Sequence, residues 1–343
     1  MESDLSDQSL VELWAKKYVK KLAVNSEAQS DVLQGRGQTA QKLTELLRFC
    51  SSRAWAKTEG LLFKEIKKHQ IAADLIDPWK IAEDSRLLFE KAIESYQEKL
   101  SPEQFSVVIA RQCGQVRQYY GATDPRILGF LSMQFHYTGQ FLLDDLAPIE
   151  RGAVVDYFKV MDDHLYMPLQ RAYEAAAQLP YGSATLSAVQ QLLPLSTQIA
   201  EFICLEVAEH NADHRCHTGP LRDPRVKISS LRDTEMFQIY LCLAVMENSL
   251  EAVQQELFPL CVMLYPPLNV RWDLVRQLID LLAREIEQRL SSASNEVFAP
   301  YLQTFQKMFS EDIFPQDNPI WSHHPDAIRF MDVARNILKE YAS

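Results

Sequence analysis

The sequence predicts an all-α protein, a multi-helix bundle of about twelve helices with no significant β-sheet. Apolar residues recur at helical spacing along most of the 343 residues, whereas a two-residue alternation between turn signals is scarce. The chain holds 10 glycines, about 3% against a usual ~7%, which argues against Gly-rich phosphate loops and tight β-hairpins. Hydrophobic residues make up 47% and charged residues 24%, as in ordinary globular proteins.

The predicted helices follow from periodicity and from start signals. In the segment 270–290, Leu274, Leu278 and Ile286 share one apolar face, which is typical of a bundle helix. Ser101-Pro102 and Asp124-Pro125 each place a capping side chain before a proline, which favours a helix start. The segment 211–230 is the least helical part of the chain. We expect helices near 8–23, 38–73, 78–99, 102–120, 125–144, 149–178, 184–210, 232–247, 250–264, 269–291, 294–310 and 326–341.

Charge is unevenly distributed along the chain, whose formal net charge is −11. Residues 1–110 hold 16 Lys and Arg against 17 Asp and Glu, and the remainder holds 19 against 29. An acidic chain is a poor general binder of DNA or RNA, so we expect no nucleic-acid partner. We predict an N-terminal helical region (1–120), a central helical domain (121–291) and C-terminal helices (292–343) that pack on the central domain.

The six cysteines show neither a CxxC pair nor regular spacing, which indicates reduced thiols rather than a disulfide framework. The first residues are acidic and lack an apolar run, so they do not predict a secretory signal. The longest apolar stretch, 257–268, is interrupted by prolines and is too short for a bilayer. We therefore expect a cytoplasmic protein.

The first candidate site is the basic segment 211–232. Its side chains would suit a phosphate or a partner's carboxylate, especially next to a helix start, which we predict at Ser230. The alternative is that the arginines pair with acidic side chains of neighbouring helices. The candidate binding residues are Arg215, His217, Arg222, Arg225, Lys227, Ser229, Ser230 and Arg232.

The second candidate site is Asp162, Asp163 and His164, which come just before Pro168. A proline cannot donate a backbone hydrogen bond, so we expect a kink with the carbonyl oxygen of His164 free. That oxygen, two carboxylates and an imidazole could bind a cation or a polar ligand. The favoured alternative is structural: Asp163 pairs with Lys159, Asp162 is solvated and His164 forms a hydrogen bond at the kink.

Glu206, His210 and His214 are the weaker, metal-binding candidates. Spacings of four could place them on one helical face and present a carboxylate and two imidazoles to zinc or iron. Asn211 and Asp213 could instead end the helix before His214 aligns. We favour no metal here, and the sequence leaves the cofactor unknown.

Two further features have mainly structural interpretations. An N-terminal helix would carry Lys16, Lys17, Lys20 and Lys21 opposite an apolar stripe, which suits a solvated surface helix better than one lying on an anionic membrane. His136 lies in an aromatic-rich segment, 130–141, which could line a pigment or haem pocket. Core packing explains that segment more simply.

No complete catalytic motif is present: there is no G-x-S-x-G, Walker A, dinucleotide-binding or kinase signature. The polar residues suit recognition, but no nucleophile, base and orienting group can be assigned together. The sequence therefore favours a non-enzymatic protein.

Four segments resemble stretches of an uncharacterised family of cyanobacterial all-helical proteins. They are GFLSMQFHYTGQ (129–140), DDHLYMPLQRAYEAA (162–176), VKISSLRDTEMFQIY (226–240) and QELFPLCVMLY (255–265). The resemblance covers about residues 120–290 and transfers no catalytic residue. It implies a cyanobacterial setting, and hence a role around photosynthesis, its pigment complexes or its regulation.

The resulting prediction is an interaction or regulatory protein that binds an acidic protein surface or a phosphate-bearing ligand through the segment 211–232. One alternative is a metal-dependent helical enzyme that uses Glu206, His210 and His214. The other is a pigment or small-ligand sensor that uses His136 and its aromatic neighbours.

Overall fold

The protein is all-α, as the sequence predicts. A computed structural model describes residues 9–19 and 26–313, with the backbone alone over 26–34. The only extended pairing within these ranges is an isolated bridge between Arg215 and Pro220. The helix predicted at 326–341 lies outside the described residues.

The helices follow the predicted order, with changes mostly at their ends. They are α1 Leu10–Ala15, α2 Ser26–Lys68, α3 Pro78–Gln97, α4 Pro102–Thr123, α5 Ile127–Asp144, α6 Pro148–Tyr166, α7 Leu169–Ala177, α8 Ala184–Leu192, α9 Ser196–His210, α10 Pro224–Glu247, α11 Phe258–Leu264, α12 Trp272–Arg289 and α13 Ser292–Met308.

Prolines explain where predicted single helices are divided. The predicted helix 149–178 is two helices, because Met167 before Pro168 adopts an extended conformation (φ −106°, ψ 150°) and ends α6. The predicted helix 184–210 is divided by a 3₁₀ turn, Leu193–Leu195, that contains Pro194. A π turn, Val253–Leu257, precedes α11 and Pro259.

Backbone contacts divide the chain into two compact units. Of the described residues, the N-terminal unit contains 9–63 and 72–171, and the C-terminal unit contains 64–71 and 172–313. The predicted division into 1–120, 121–291 and 292–343 stays a prediction.

The core of the N-terminal unit forms around α6, which packs against α3, α4 and α5. Phe89 contacts both Phe135 and Phe158, with ring centroids 5.7 and 5.0 Å apart. Gln134 links α5 to α2 by donating a buried hydrogen bond to the carbonyl oxygen of Ser51 (3.0 Å).

The helix α4 starts after Ser101, as predicted. The Ser101 hydroxyl accepts the Gln104 N–H, while the Gln104 side chain accepts the Ser101 N–H.

The core of the C-terminal unit forms around α10, which contacts α8, α9 and α13. Every residue from Thr234 to Met246 is buried, so this part of α10 is enclosed on all sides. Phe237 packs on Phe305 and Phe309, with ring centroids 6.5 and 5.5 Å away.

Among the helices of residues 9–19 and 26–313, none combines the length and the apolar character needed to cross a membrane.

Candidate functional site

The segment between α9 and α10 is shorter than predicted, because α10 begins at Pro224 rather than at Ser230. Asp223 is its N-cap, and the Asp223 carboxylate accepts the backbone N–H of Arg225 at 2.9 Å. Ser229 and Ser230 lie within the helix, where the Ser229 hydroxyl donates to the Arg225 carbonyl oxygen. The predicted anion-binding helix start at Ser230 is therefore wrong, since its backbone groups belong to the helix.

The turn segment 211–223 is held against the turn that precedes α12. The His217 N–H donates to the Leu268 carbonyl oxygen at 2.8 Å. His214 is buried, and its Nε2 lies 2.8 Å from the Asn269 carbonyl oxygen. Because a carbonyl only accepts, Nε2 carries the proton. These two hydrogen bonds hold the segment in place just before Arg222 and Lys227.

The basic side chains of the candidate segment divide into paired and unpaired groups. The Arg225 guanidinium binds both oxygens of Asp223, at 3.2 and 3.1 Å. Arg232 is buried and lies 3.9 Å from Asp233. Arg215, Arg222 and Lys227 are exposed, and their side chains make no ion pair or hydrogen bond with any residue the structure describes.

Arg222 and Lys227 lie at a cavity of about 410 Å³ within the C-terminal unit. The walls come from α9, the 211–223 turn, α10, the turn before α12 and α12 itself. Leu205, Glu209, Arg222 and Lys227 are exposed lining residues, so the cavity can be reached from solvent. Ligand cavities commonly measure ~300–1,000 Å³ and combine apolar walls with a few polar groups. This cavity is the candidate functional site.

The cavity also contains two cysteine thiols, Cys204 and Cys216. Burial, together with the charge of Asp233, raises the pKa of Cys216 to about 11. Burial raises the pKa of Cys204 to about 12, although Thr234 and Lys227 act in the opposite direction. Both thiols are therefore neutral at neutral pH, and a neutral thiol is a poor nucleophile.

The structure does not bring the metal candidates together. The His210 Nδ1 lies 2.7 Å from the carbonyl oxygen of Glu206, and α9 ends at His210. His214 therefore leaves the helical face and binds Asn269 instead. Within residues 9–19 and 26–313, no group of three or more His, Cys, Asp and Glu side chains could hold a metal ion.

The Asp162–His164 region lies in the N-terminal unit and is organised around a buried carboxylate. Asp163 is 0% exposed. It lies 3.0 Å from the Lys159 ammonium, as predicted, and 3.4 Å from that of Lys17, and it accepts a 2.7 Å hydrogen bond from Tyr18. Burial alone would raise the pKa of Asp163, but the two ammonium groups and the Tyr18 hydroxyl hold it below its ordinary value.

His164 is also buried, and its Nδ1 donates to the Val160 carbonyl oxygen at 2.8 Å. Burial lowers the pKa of His164 to about 4, so the imidazole is neutral at neutral pH. Asp162 is half-buried and lies 4.0 Å from the His136 Nδ1. The predicted hydrogen bond of His164 near the helix end is confirmed.

Arg117 occupies the end of α6, a role that the sequence analysis missed. Its Nη1 donates to the carbonyl oxygens of Leu165 and Tyr166, at 2.8 and 3.0 Å, in a buried position. Carbonyl oxygens left without helical partners where α6 ends are thus bound by a guanidinium from α4. Arg117 is one of several polar residues in this part of α4, and nothing in the sequence indicates that it reaches another helix.

The lysines that follow α1 do not all lie on the solvated face that the sequence predicts for the N-terminal helix. Lys17 is half-buried, pairs with Asp163 and lies 3.9 Å from the centre of the Trp14 ring. The apolar stripe of α1 packs against α4. Lys16 is exposed, and Lys20 and Lys21 lie outside the described residues.

Comparisons of the chain with protein-family models, with curated proteins and with solved structures find no match.

Proposed function

We propose that this chain is a non-enzymatic ligand-binding protein with a regulatory role, and that it binds an anionic small molecule at the cavity between α9, α10 and α12. Arg222 and Lys227 would hold the negative group. The apolar walls would hold the remainder of the ligand. The proposal keeps the anion-binding role predicted for the segment 211–232 and places it on two of its residues.

The observation that carries the proposal is that two exposed cations, neither paired with a described residue, line a largely apolar cavity. An arginine forms two parallel hydrogen bonds with a carboxylate or phosphate, and a lysine adds a second charge. Arg225, by contrast, is already bound by Asp223. A concave cavity can enclose a small ligand. An acidic protein surface could contact the two cations only from outside the cavity, so we favour a small ligand.

The cavity offers binding groups but no set of groups for catalysis. Its thiols have raised pKa values and are neutral. A cavity of this kind is suited to holding a ligand without changing it, which supports the non-enzymatic interpretation. The cyanobacterial setting and the link to photosynthesis stay predictions.

A pair of fluorescent probes tests the proposal. Anilinonaphthalene sulfonate carries an anionic group on an apolar ring system, and N-phenyl-1-naphthylamine has similar rings without the charge. We expect the double variant Arg222→Ala/Lys227→Ala to bind the sulfonate about tenfold more weakly, because two charge-assisted contacts are lost.

Arg215→Ala is the matched control, since Arg215 is an exposed arginine of the same segment that does not line the cavity. It should leave binding of both probes unchanged. The neutral probe should bind the double variant as it binds the original protein. Equal affinity of the sulfonate for the original protein and the double variant would overturn the proposal.

A further inference from the structure

The walls of the cavity indicate what kind of body the ligand has. α9 contributes Ile203, Leu205 and Val207, and α12 contributes Leu274, Val275 and Leu278. On α9 the lining runs from residue 203 to 209, or ~9 Å along the helix axis at ~1.5 Å per residue. Two helices that face a common space with aliphatic side chains suit a hydrocarbon chain better than a polar or nucleotide-like body.

The charges at the cavity indicate how much negative charge the ligand carries. Besides Arg222 and Lys227, two acidic residues line the cavity, Glu209 and Asp233. Asp233 lies 3.9 Å from the Arg232 guanidinium, which offsets its charge. The remaining balance is close to one positive charge. A single carboxylate matches that balance, whereas a phosphate monoester with nearly two negative charges exceeds it.

We infer that the ligand is an apolar monocarboxylic acid, with its carboxylate bound by Arg222 and Lys227 and its hydrocarbon tail between α9 and α12. This inference rests on the proposed function and adds the chemical class of the ligand. The two neutral thiols also line the cavity.

The nature of the head group is tested by titration calorimetry on the full chain after removal of bound lipid. The ligands are dodecanoate and dodecyl phosphate, each used below its critical micelle concentration, and dodecanol, used below its solubility limit. We expect dodecanoate to bind about tenfold or more tightly than dodecanol, because the alcohol lacks the charge that Arg222 and Lys227 bind. Dodecyl phosphate should be weaker than dodecanoate. Equal or tighter binding of the phosphate or of the alcohol would overturn the inference.

The apolar tail is tested by chain length and by filling the cavity. From octanoate to dodecanoate, affinity should rise about fourfold for each methylene that is buried, until the cavity is full. Leu205→Trp, at an exposed lining position, should weaken dodecanoate and leave octanoate less affected. An affinity independent of chain length would show that only a surface anion is bound, and the inference would fail.

The variants also separate this inference from the proposed function. Arg222→Ala/Lys227→Ala should weaken dodecanoate about tenfold, while Arg215→Ala should not. Suppose that the naphthalene sulfonate depends on Arg222 and Lys227 but dodecanoate does not displace it: the anionic site then stands and the carboxylic-acid class is wrong. If neither ligand depends on these two residues, both are wrong. Matching far-ultraviolet circular dichroism and melting temperatures confirm that the exposed substitutions leave the fold intact.

Discussion

The Asp162–His164 region and the segment 211–232 both combine charged side chains with histidines, yet they differ in where those charges find partners. Asp163 is buried and contacts Lys159, Lys17 and Tyr18 within its own unit. Arg222 and Lys227 are exposed at a cavity and contact no charged partner among the described residues. In the first region the charges pair with one another and stabilise the fold. The second leaves two of them without a charged partner among the described residues.

A cluster of charged residues can bind a charged ligand only where its charges are not already neutralised. Buried ion pairs must be matched inside the protein, because an unpaired buried charge is costly. Exposed cations tolerate the absence of a partner, since water solvates them. The two regions should therefore respond in opposite ways to substitution.

The largest expected effect is on stability in the first region. Asp163→Asn removes the carboxylate and leaves the ammonium group of Lys17 half-buried beside Lys159. We expect the free energy of unfolding to fall by about 3–5 kcal/mol, as for other buried pairs that lose one partner. Urea denaturation measures the change. Asp162→Asn is the control, and it should cost far less because Asp162 keeps solvent contact. Similar losses for the two variants would remove the contrast.

A pH dependence of stability should also come from the first region. The pKa of His164 is lowered from 6.5 to about 4 in the folded protein. Between these values the unfolded chain binds more protons than the native protein, so the free energy of unfolding is highest above pH 6.5 and decreases as the pH falls toward 4. The expected loss is about 3 kcal/mol. The Asp163 carboxyl, whose pKa is also lowered, adds a further loss only below its ordinary pKa of 3.8.

Urea denaturation at several pH values checks this dependence, with His164→Asn as the control. The variant cannot take up the proton, so its stability should change much less between pH 6.5 and 4. If the variant and the original protein lost stability equally over that interval, His164 would not be the group responsible.

A smaller effect is expected where α4 meets the start of α7. A Cβ atom on Gly114 would lie 2.4 Å from the Cβ of Gln170, which cannot move without shifting its backbone. Gly114→Ala should therefore destabilise the protein by about 1–3 kcal/mol in thermal or urea denaturation. The control is Gly152→Ala in α6, where a Cβ would meet nothing within 4 Å. That variant should be neutral or stabilised by up to ~1 kcal/mol, because alanine favours a helix over glycine. Equal destabilisation of both variants would contradict the packing argument.

The smallest effect on stability is expected in the second region. Arg222→Ala and Lys227→Ala should leave the urea midpoint unchanged, because neither side chain is bound to a described residue of the protein. They should lower only the affinity for an anionic ligand. A clear loss of stability would mean that these cations have a structural role like that of Lys17, and the contrast between the two regions would disappear.

Several local features could be predicted from the sequence because they depend on nearby residues. The pair of Asp163 with Lys159 follows from their spacing of four on one helix. The start of α10 was predictable as well. Asp223-Pro224 carries the same capping signal that correctly places α4 after Ser101, whereas the prediction placed the helix start at Ser230, which has Asp233 three residues on.

Other features could not be predicted, since they join residues far apart in the chain. The contacts of Lys17 with Asp163 and of Arg117 with Leu165 link positions 146 and 48 residues apart, and no local pattern signals them. The cavity escaped prediction for a similar reason. Its aliphatic walls on α9 and α12 look in the sequence like ordinary core-facing stripes, and only the packed helices leave space between them.

By itself, the sequence determined the all-α class, most helix positions and the break at Pro168, because periodicity, capping and proline act over a few residues. Apart from the local pair of Asp163 with Lys159, tertiary structure decided which charges are neutralised. Coulomb interaction and desolvation depend on distances and burial that are set when remote helices pack together. Asp163 and Lys227 are both charged residues on helices, and only their surroundings make one a structural anchor and the other a candidate ligand-binding group.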